Sequence, residues 1–492
     1  MAIEQKNNCK NLKKKRHSGK KERECPQMSK ESIPQLEEIF KRIREEIHQQ
    51  DSKAFNRRDI GLKLSTFLIV FTICACMMKN VTLEGLAIKC EKLQYGLHYT
   101  KQALKQRLGA GNKELIILLS TLMISITKPV EKDPLIAAAL KQFTAVLLTD
   151  ATTISLPDKL SKEHKGLGGT NAKSAMKIQG TYDVISKQFR KIAHIANATE
   201  NDATYMDELI KLIKAGELTI NDLGYYGVNY FQQIDEKGAY FMSKIKSNTK
   251  LYTEENQPIN LARELRGKSF IDKTVIIKGD GGKLSMAVRI CGVRLSEKDY
   301  NKRLRKANKK AKSSGKTLSK EEKIRLKWVF IITNVPIEML DCRTICEMYR
   351  LRWQIELVFK SWKSHFAIDQ MNNVGKDYWD CLLFGKLAII TMLTVMHSHV
   401  HYFMLKTSDR GVSFLRFMEH MREELDIILD CLTFDATICQ SAIDINRIIR
   451  ASLLEKRQRK TTEQSIFDFQ APYDSHVSTN PHSQCSTTVL AA

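Results

Sequence analysis

Tyr349, Arg352, Glu356 and Lys363 stand at i, i+3, i+7 and i+14 of one short segment. At 3.6 residues per turn they line one stripe of a helix running from Tyr349 to Lys363, while Leu351, Ile355, Val358 and Trp362 fall on another that can face a core. One carboxylate among two cations and a phenol suits metal-assisted chemistry on a phosphate backbone, and Lys360 adds a further cation one turn past Glu356. Such a stripe is about 21 Å long, enough to follow several successive phosphates. The same pattern also describes a plain surface helix in which Glu356 and Lys360 form an ordinary i,i+4 ion pair.

Two acidic residues upstream invite the same question. Asp150 closes the apolar run Phe143–Thr149, which reads as a buried strand, and Asp222 follows the short strand Leu218–Ile220 and opens Asp222-Leu223-Gly224-Tyr225. Strand termini place side chains at the sheet edge where α/β proteins bind ligands. Asp150, Asp222 and Glu356 meeting there would repel one another unless divalent cations neutralised them. Magnesium prefers oxygen ligands and bridges carboxylates to phosphates. Two such ions about 4 Å apart activate an attacking oxygen and stabilise a leaving one. Taken singly, each Asp reads better as a helix cap or turn residue than as a catalytic one.

These residues need a scaffold, and the chain is long enough to supply one: 492 residues, 43% hydrophobic and 27% charged. The 79 Lys and Arg against 55 Asp and Glu leave a formal charge of +24, which calls for a polyanionic partner, nucleic acid before a membrane surface. No secretory signal is visible, and the apolar runs Leu64–Met78 and Leu382–Val395, the second containing Lys386, read as buried helices rather than membrane spans. The 12 Cys include no Cys-x-x-Cys pair and fit reduced thiols of a cytoplasmic protein, with Cys74 and Cys76 simply part of their apolar helix.

Along the chain, residues 1–30 form a basic disordered arm and 31–140 a helical region. In the latter, Thr82–Leu93 and Thr100–Leu108 read as two helices around a turn at Gly96, with Thr100 as N-cap. Lys101, Gln102 and Arg107 give the second a surface suited to a DNA groove, although short helical hairpins are common without that role. Residues 141–250 alternate strands and helices: Phe143–Thr149, Ala175–Val184, Lys191–Ala198, a helix over Thr204–Ala215, Leu218–Ile220, another helix and Tyr240–Lys246. Residues 251–327 read as a β-rich insertion, with a hairpin of Thr274–Lys278 and Leu284–Val293 turning through Gly279-Asp280-Gly281-Gly282. Its basic arm, Lys302–Lys327, holds twelve Lys or Arg against two Glu, and either binds phosphates or is a solvated helix. Strand Trp328–Thr333 returns the chain to a core part at 328–400, followed by a helical region at 401–470 and a loose tail at 471–492. The fold class expected is therefore α/β. Trp362 belongs in the core, whereas Trp353 is open to stacking on an extruded base. His397-Ser398-His399-Val400-His401 has the wrong spacing for a metal box on one helix face and reads as solvated or capping.

The order Tyr349-x2-Arg352-x3-Glu356-x6-Lys363 resembles the Tyr-Arg-Glu-Lys signature of one subgroup of bacterial insertion-sequence DDE transposases. Thr333-Asn334-Val335-Pro336 ahead of it, Asp150-Ala151-Thr152 as first acidic motif and Asp222-Leu223-Gly224-Tyr225 as second resemble the same subgroup, over residues 60 to 400. Ala151 departs from the Ser or Thr often found there. The resemblance implies a ribonuclease H-like catalytic core interrupted by a β-rich insertion, with Asp150, Asp222 and Glu356 holding two Mg2+ ions, Mn2+ being a substitute. It implies that Tyr349, Arg352 and Lys363 hold the DNA at the element's end. The expected activity is metal-dependent strand cleavage at terminal inverted repeats and strand transfer into target double-stranded DNA. The expected setting is a homodimer at the nucleoid, in the cytoplasm and away from any membrane. A ribonuclease H-like nuclease without strand transfer, or a degenerate copy that only binds DNA, would carry many of the same features.

Overall fold

Residues 71–93, 100–108 and 140–453 are described in the computed structural model, apart from short internal stretches of which 429–441 is the longest; Lys41 and Glu45 are also described. The basic segment 1–30, most of 31–140 including Gly96, the side chain of Arg107, and the tail from residue 454 onward lie outside the described residues.

The Val-Leu-Leu-Thr run that opens β1 (Val146–Ser155) is buried on both sides, and the other strands assemble around it. They are β2 (Ala175–Asp183), β3 (Gln188–Ile195), β4 (Leu218–Asn221), β5 (Tyr240–Lys244), β6 (Leu251–Tyr252), β7 (Phe270–Gly279), β8 (Leu284–Arg294) and β9 (Trp328–Thr333). One nine-stranded sheet results, in the order β3-β2-β1-β4-β5-β9-β8-β7-β6. β1 and β4 run parallel, as do β4 and β5, while every other pairing is antiparallel.

Because strand side chains alternate, each strand feeds two cores. Val146 and Leu148 of β1, Leu218 and Ile220 of β4 and Met242 of β5 join one cluster; Leu147 and Phe241 join the other. The first cluster also takes the apolar stripe of the signature segment, Leu351, Ile355, Val358 and Trp362, all at 3% exposure or less. The helices α1 (Leu83–Leu93) and α2 (Lys101–Arg107) precede the sheet. Helix α3 (Met206–Leu212) leads into β4, and α4 (Val228–Glu236) makes the crossover between the parallel strands β4 and β5.

The hairpin β7–β8 turns through Asp280, Gly281 and Gly282, whose φ values of 46°, 63° and 99° favour glycine at the last two. Residues 251–327 build onto the same sheet, since β8 pairs with β9 along six residues. Their basic stretch is two helices, α5 (Glu297–Ser313) and α6 (Lys320–Leu326), parted where Gly315 takes φ 66°; Ser319 and Glu322 cap the second reciprocally.

Three sequence expectations differ from the observed elements. β1 continues to Ser155 instead of stopping at Asp150, because the Ala-Thr-Thr-Ile-Ser that follows keeps pairing with β2 down to Ser155↔Ala175. The third strand lies at Gln188–Ile195, a few residues earlier than expected. The signature segment is not one α-helix: Tyr349–Arg352 forms a tight 3-10 turn between α7 (Cys342–Met348) and α8 (Trp353–Ser364).

Helix α9 (Lys376–Ser408) runs across residue 400 and packs with α10 (Phe414–Glu423). Among the described residues it is the one helix long and apolar enough to cross a membrane, and its most apolar window is wholly buried within the protein. Lys386 sits inside it, donating to the carbonyls of Phe366 and Ala367 at 2.8 and 3.3 Å, which accounts for a charge in an apolar run.

Candidate active site

The parallel register of β1 and β4 brings the first two acidic residues together. Thr149 lies opposite Asn221, so the next residues, Asp150 and Asp222, flank each other at the end of β4 on strands about 4.8 Å apart. Asp150 is in phase with Val146 and Leu148, and Asp222 with Leu218 and Ile220, so both belong to the face that carries α8. Asp222 stands at the N-cap of the turn Leu223–Tyr225 but makes no side-chain capping bond. Its carboxylate is therefore not committed to the structural role that its sequence context allowed.

Glycine at position 180 lets α8 lie over this pair. Gly180 of β2 is the direct partner of Asp150, and a Cβ there would come within 3.3 Å of the Phe359 ring of α8 and 3.0 Å of the Phe189 ring. Helix and sheet thus approach closely beside Asp150, which sets Glu356 above it. Arg352 closes the group, with guanidinium nitrogens 3.6 Å from Asp150 Oδ2 and 2.5 Å from Glu356 Oε1. Glu356 is paired within its own segment to Arg352, one turn earlier, in place of the Lys360 pairing that spacing allowed; Lys360 is exposed.

The electrostatics record this convergence. Asp150 has its carboxyl pushed up to about 6, first by burial and further by the negative charges of Asp222 and Glu356. The Ala151 backbone N–H, donating to Asp150 Oδ1 at 2.8 Å, and Arg352 pull the other way. Burial opposes the charge of Arg352, but Tyr349, Asp222 and Glu356 outweigh it and raise the guanidinium above its ordinary value. An oxygen-only donor set in which like charges crowd one half-buried carboxyl is the chemistry that a hard divalent cation relieves.

The remaining signature residues brace the frame. The Tyr349 hydroxyl donates to the Asn221 carbonyl at 3.0 Å, next to Asp222, and the ring is buried. Lys363 Nζ donates to the Thr153 carbonyl of β1 at 2.9 Å, three residues beyond Asp150. Both bonds tie the signature segment to the strands that carry the acidic residues.

Sequence reasoning missed Lys244, Gln179 and the role of Tyr225. Lys244 ends β5 with its ammonium 5.3 Å from the centre of the Tyr349 ring. Burial, Arg352 and Arg303 push its pKa down, against the pull of Asp222 and Glu356. Gln179 of β2 donates to the Tyr225 hydroxyl, while its own carbonyl oxygen is buried without a partner. Burial raises the Tyr225 phenol, and the nearby Asp202 and Asp150 add to it. A Cβ on Gly224 would meet the Asp202 carboxylate at 2.9 Å, so the glycine of the second acidic motif permits that approach. A lysine ending an apolar strand was the only sequence signal for Lys244.

Other expected contacts lie elsewhere. Thr100 caps α2, accepting from the Ala103 N–H at 3.2 Å; Lys101 pairs with Glu84 of α1 at 2.6 Å, and Gln102 is exposed. Trp362 is fully buried, whereas Trp353 is 57% exposed. His397 is buried rather than solvated: its Nε2 donates to the Val412 carbonyl at 3.0 Å, and burial pushes it down to about 3. His401 Nδ1 accepts from the Val412 N–H at 3.0 Å, so these two imidazoles fasten the segment ahead of α10.

A family profile described as "Transposase DDE domain" matches residues 141–392, slightly over half of the chain and all of the carboxylate site. The chain belongs to this transposase family. The transposase for insertion sequence element IS231F of Bacillus thuringiensis subsp. israelensis is 26% identical over 424 residues, covering 81% of this chain and 86% of its own length. The transposase for IS1151 of Clostridium perfringens is 29% identical over 296 residues, covering 56% and 61%. Among solved structures, the piggyBac transposase synaptic complex with hairpin DNA covers 87% of this chain and 84% of its own, with 11% identity and a TM-score of 0.42. The protein is a DNA transposase of the insertion-sequence type, and its family works with divalent metal ions.

Proposed function

We propose that Asp150, Asp222 and Glu356 are the catalytic carboxylates of this transposase and together hold two Mg2+ ions, with Mn2+ able to replace them. The observation that carries this reading is the Thr149↔Asn221 register, which sets Asp150 beside Asp222, with Glu356 joined to Asp150 through Arg352. The order β3-β2-β1-β4-β5, antiparallel over the first three strands and parallel from β1 to β5, supports a ribonuclease H-like core. The spacing of Tyr349, Arg352, Glu356 and Lys363 supports the Tyr-Arg-Glu-Lys subgroup. When bound, the ions supply Lewis acidity on both sides of an in-line displacement at phosphorus.

Cleavage proceeds by attack of water on the phosphodiester at the element's end, breaking the P–O3′ bond and leaving a 3′-hydroxyl. That hydroxyl then attacks a target phosphodiester, exchanging one P–O bond for another with no external energy source. The residues contribute mainly by positioning and electrostatic stabilisation. Arg352 exchanges part of its carboxylate pairing for a phosphate oxygen, and its fork suits that contact. An ammonium has three donors, so the bond of Lys363 to Thr153 leaves capacity for DNA. Tyr349 holds the end of β4, and exposed Trp353 stacks on a base displaced at the cleavage point. Lys101, Gln102 and Arg107 of α2 and the lysines of α5 and α6 add contacts to the terminal repeats and the flanking duplex. Two copies bring two ends together as a dimer in the cytoplasm.

Glu356→Gln tests the assignment. On DNA carrying the element's own ends it is expected to abolish strand cutting while leaving end binding largely intact. Undiminished cutting by that variant would falsify the catalytic role.

A further inference from the structure

Helix α7 stands directly ahead of the Tyr349–Arg352 turn and carries Cys342 and Cys346 one helical turn apart. Both thiols are buried against Cys291 of β8, itself buried. Asp272 of β7 is the direct cross-strand partner of Cys291, so their side chains share one face of the hairpin, the face on which α7 packs. Cys291 Sγ lies 3.8 Å from Asp272 Oδ1, and ligand atoms of Asp272, Cys291 and Cys342 all fall within 4.8 Å of one another. Cys346, one helical turn further along α7, has its Sγ 3.9 Å from the Cys291 carbonyl. Among the described residues this is the one group of three such side chains packed so closely.

We propose that Asp272, Cys291 and Cys342 form the core of a structural site for a thiophilic divalent cation, zinc being the best match, with Cys346 one helical turn along α7 moving in to complete it, separate from the carboxylate site. A tetrahedral zinc with bonds of about 2.3 Å to sulfur and about 2.0 Å to oxygen sets neighbouring sulfur and oxygen ligands about 3.5 Å apart. The 3.8 Å between Cys291 and Asp272 is within a small side-chain adjustment of that spacing. Thiolates select zinc over magnesium, which keeps the two sites chemically distinct.

Arg289 grips both Asp272 oxygens, at 2.7 and 2.6 Å, and is anchored to the carbonyls of Val335 and Leu340 at 3.2 and 2.7 Å. That fixes the carboxylate's orientation, as partners of metal ligands do, and places a buried positive charge beside the thiolates. The Cys342 thiol faces the Ile271 and Gly292 carbonyls at 3.3 and 3.8 Å, and it gives up its proton on ligation. The cation would lock α7 to the β7–β8 hairpin, and so fix the start of the segment that delivers Arg352 and Glu356.

Elemental analysis of the full chain purified without chelators, followed by Co2+ replacement, tests this. Wild type and Asp150→Asn are both expected to carry stoichiometric zinc, and the cobalt form to show a thiolate-to-cobalt charge-transfer band with tetrahedral d–d absorption. Replacing Cys291 and Cys342 together by Ser should lower the affinity at least about tenfold. Wild type that binds no zinc and develops no charge-transfer band with excess cobalt overturns the site. So does a double variant that keeps both signals. The wild-type titration decides the matter even if the double variant does not fold, and retention of zinc by Asp150→Asn separates this site from the carboxylate one.

Discussion

Replacing Asp150 by Asn removes a charge that the fold holds at a cost, and the cost can be worked from the site. The carboxyl is displaced from 3.8 to about 6, which corresponds to about 3 kcal/mol against the ionised form. Its side chain is 21% exposed, so solvent screening removes only part of this. The sign follows from linkage: between the two values the folded state binds the proton more tightly, so this group's contribution to stability falls as pH rises from 3.8 to about 6. Above that the penalty is constant, and below 3.8 it is absent. Asn carries no such term and keeps the oxygen that accepts from the Ala151 N–H. In metal-free urea unfolding, followed by the fluorescence of buried Trp362 and Trp379, Asp150→Asn should be more stable than wild type by about 2–3 kcal/mol near pH 8. The gap should shrink towards zero near pH 4. Saturating Mg2+ should then stabilise wild type, by about 2.7 kcal/mol at a hundredfold excess over its dissociation constant, and leave the variant nearly unchanged. A gap that is the same at both pH values, or a variant less stable at the higher one, would refute the crowded-carboxylate account.

Further outcomes follow from individual side chains. Gly180→Val should overpack the approach of Phe359 and Phe189 and cost about 1–3 kcal/mol. Because α8 is displaced from Asp150, cleavage should fall further than stability does; equal activity at equal fold occupancy contradicts the positioning role of that glycine. Tyr349→Phe should lose the bond to the Asn221 carbonyl, worth about 1 kcal/mol in urea unfolding. It should slow cleavage with end binding preserved, and an unaltered cleavage rate argues that Asp222 is placed without it. Changing Lys306, Lys309 and Lys310 of α5 to Gln should flatten the dependence of DNA affinity on salt, by about 0.9 in log–log slope for each phosphate that α5 no longer neutralises. An unchanged slope in a filter-binding titration would leave α5 as a solvated helix.

How much of this was legible in the sequence depended on whether the signal was local. Trp362 on the apolar stripe, the Gly279–Gly282 turn, the Thr100 cap and the buried helix around Lys386 were all readable, because each rests on periodicity or turn chemistry within a few residues. The extension of β1 past Asp150 was not, since its pairing with β2 overrides the local look of a strand end. The tight turn at Tyr349–Arg352 was hidden for a related reason: helical spacing is nearly satisfied by a 3-10 turn joined to an α-helix, so the stripe survived while the geometry changed. Lys244, Gln179 and the group around Asp272 gave no signal for their meeting, since only Cys342 and Cys346 among them share a helical spacing. They meet only through the registers of β5, β2 and β7–β8, and register is not written in any one segment.

The charge of the chain also divides its labour. A formal +24 overall surrounds a site whose own side chains include the three carboxylates of Asp150, Asp222 and Glu356, countered by Arg352 and Lys244. Three carboxylates without cations oppose a phosphate, and on the proposed reading attraction comes in part from surfaces such as α5, where lysines stand exposed along the helix. On the proposed reading, the exposed lysines of α5 add affinity that salt weakens, while cutting depends on divalent ions at the carboxylates, so the two can be separated by salt in one case and by divalent ions in the other. Glu356→Gln takes a negative charge out of the pocket, so it removes repulsion from the phosphate while it removes a proposed metal ligand. For this reason a variant that cannot cut is expected to hold its DNA at least as well as wild type does.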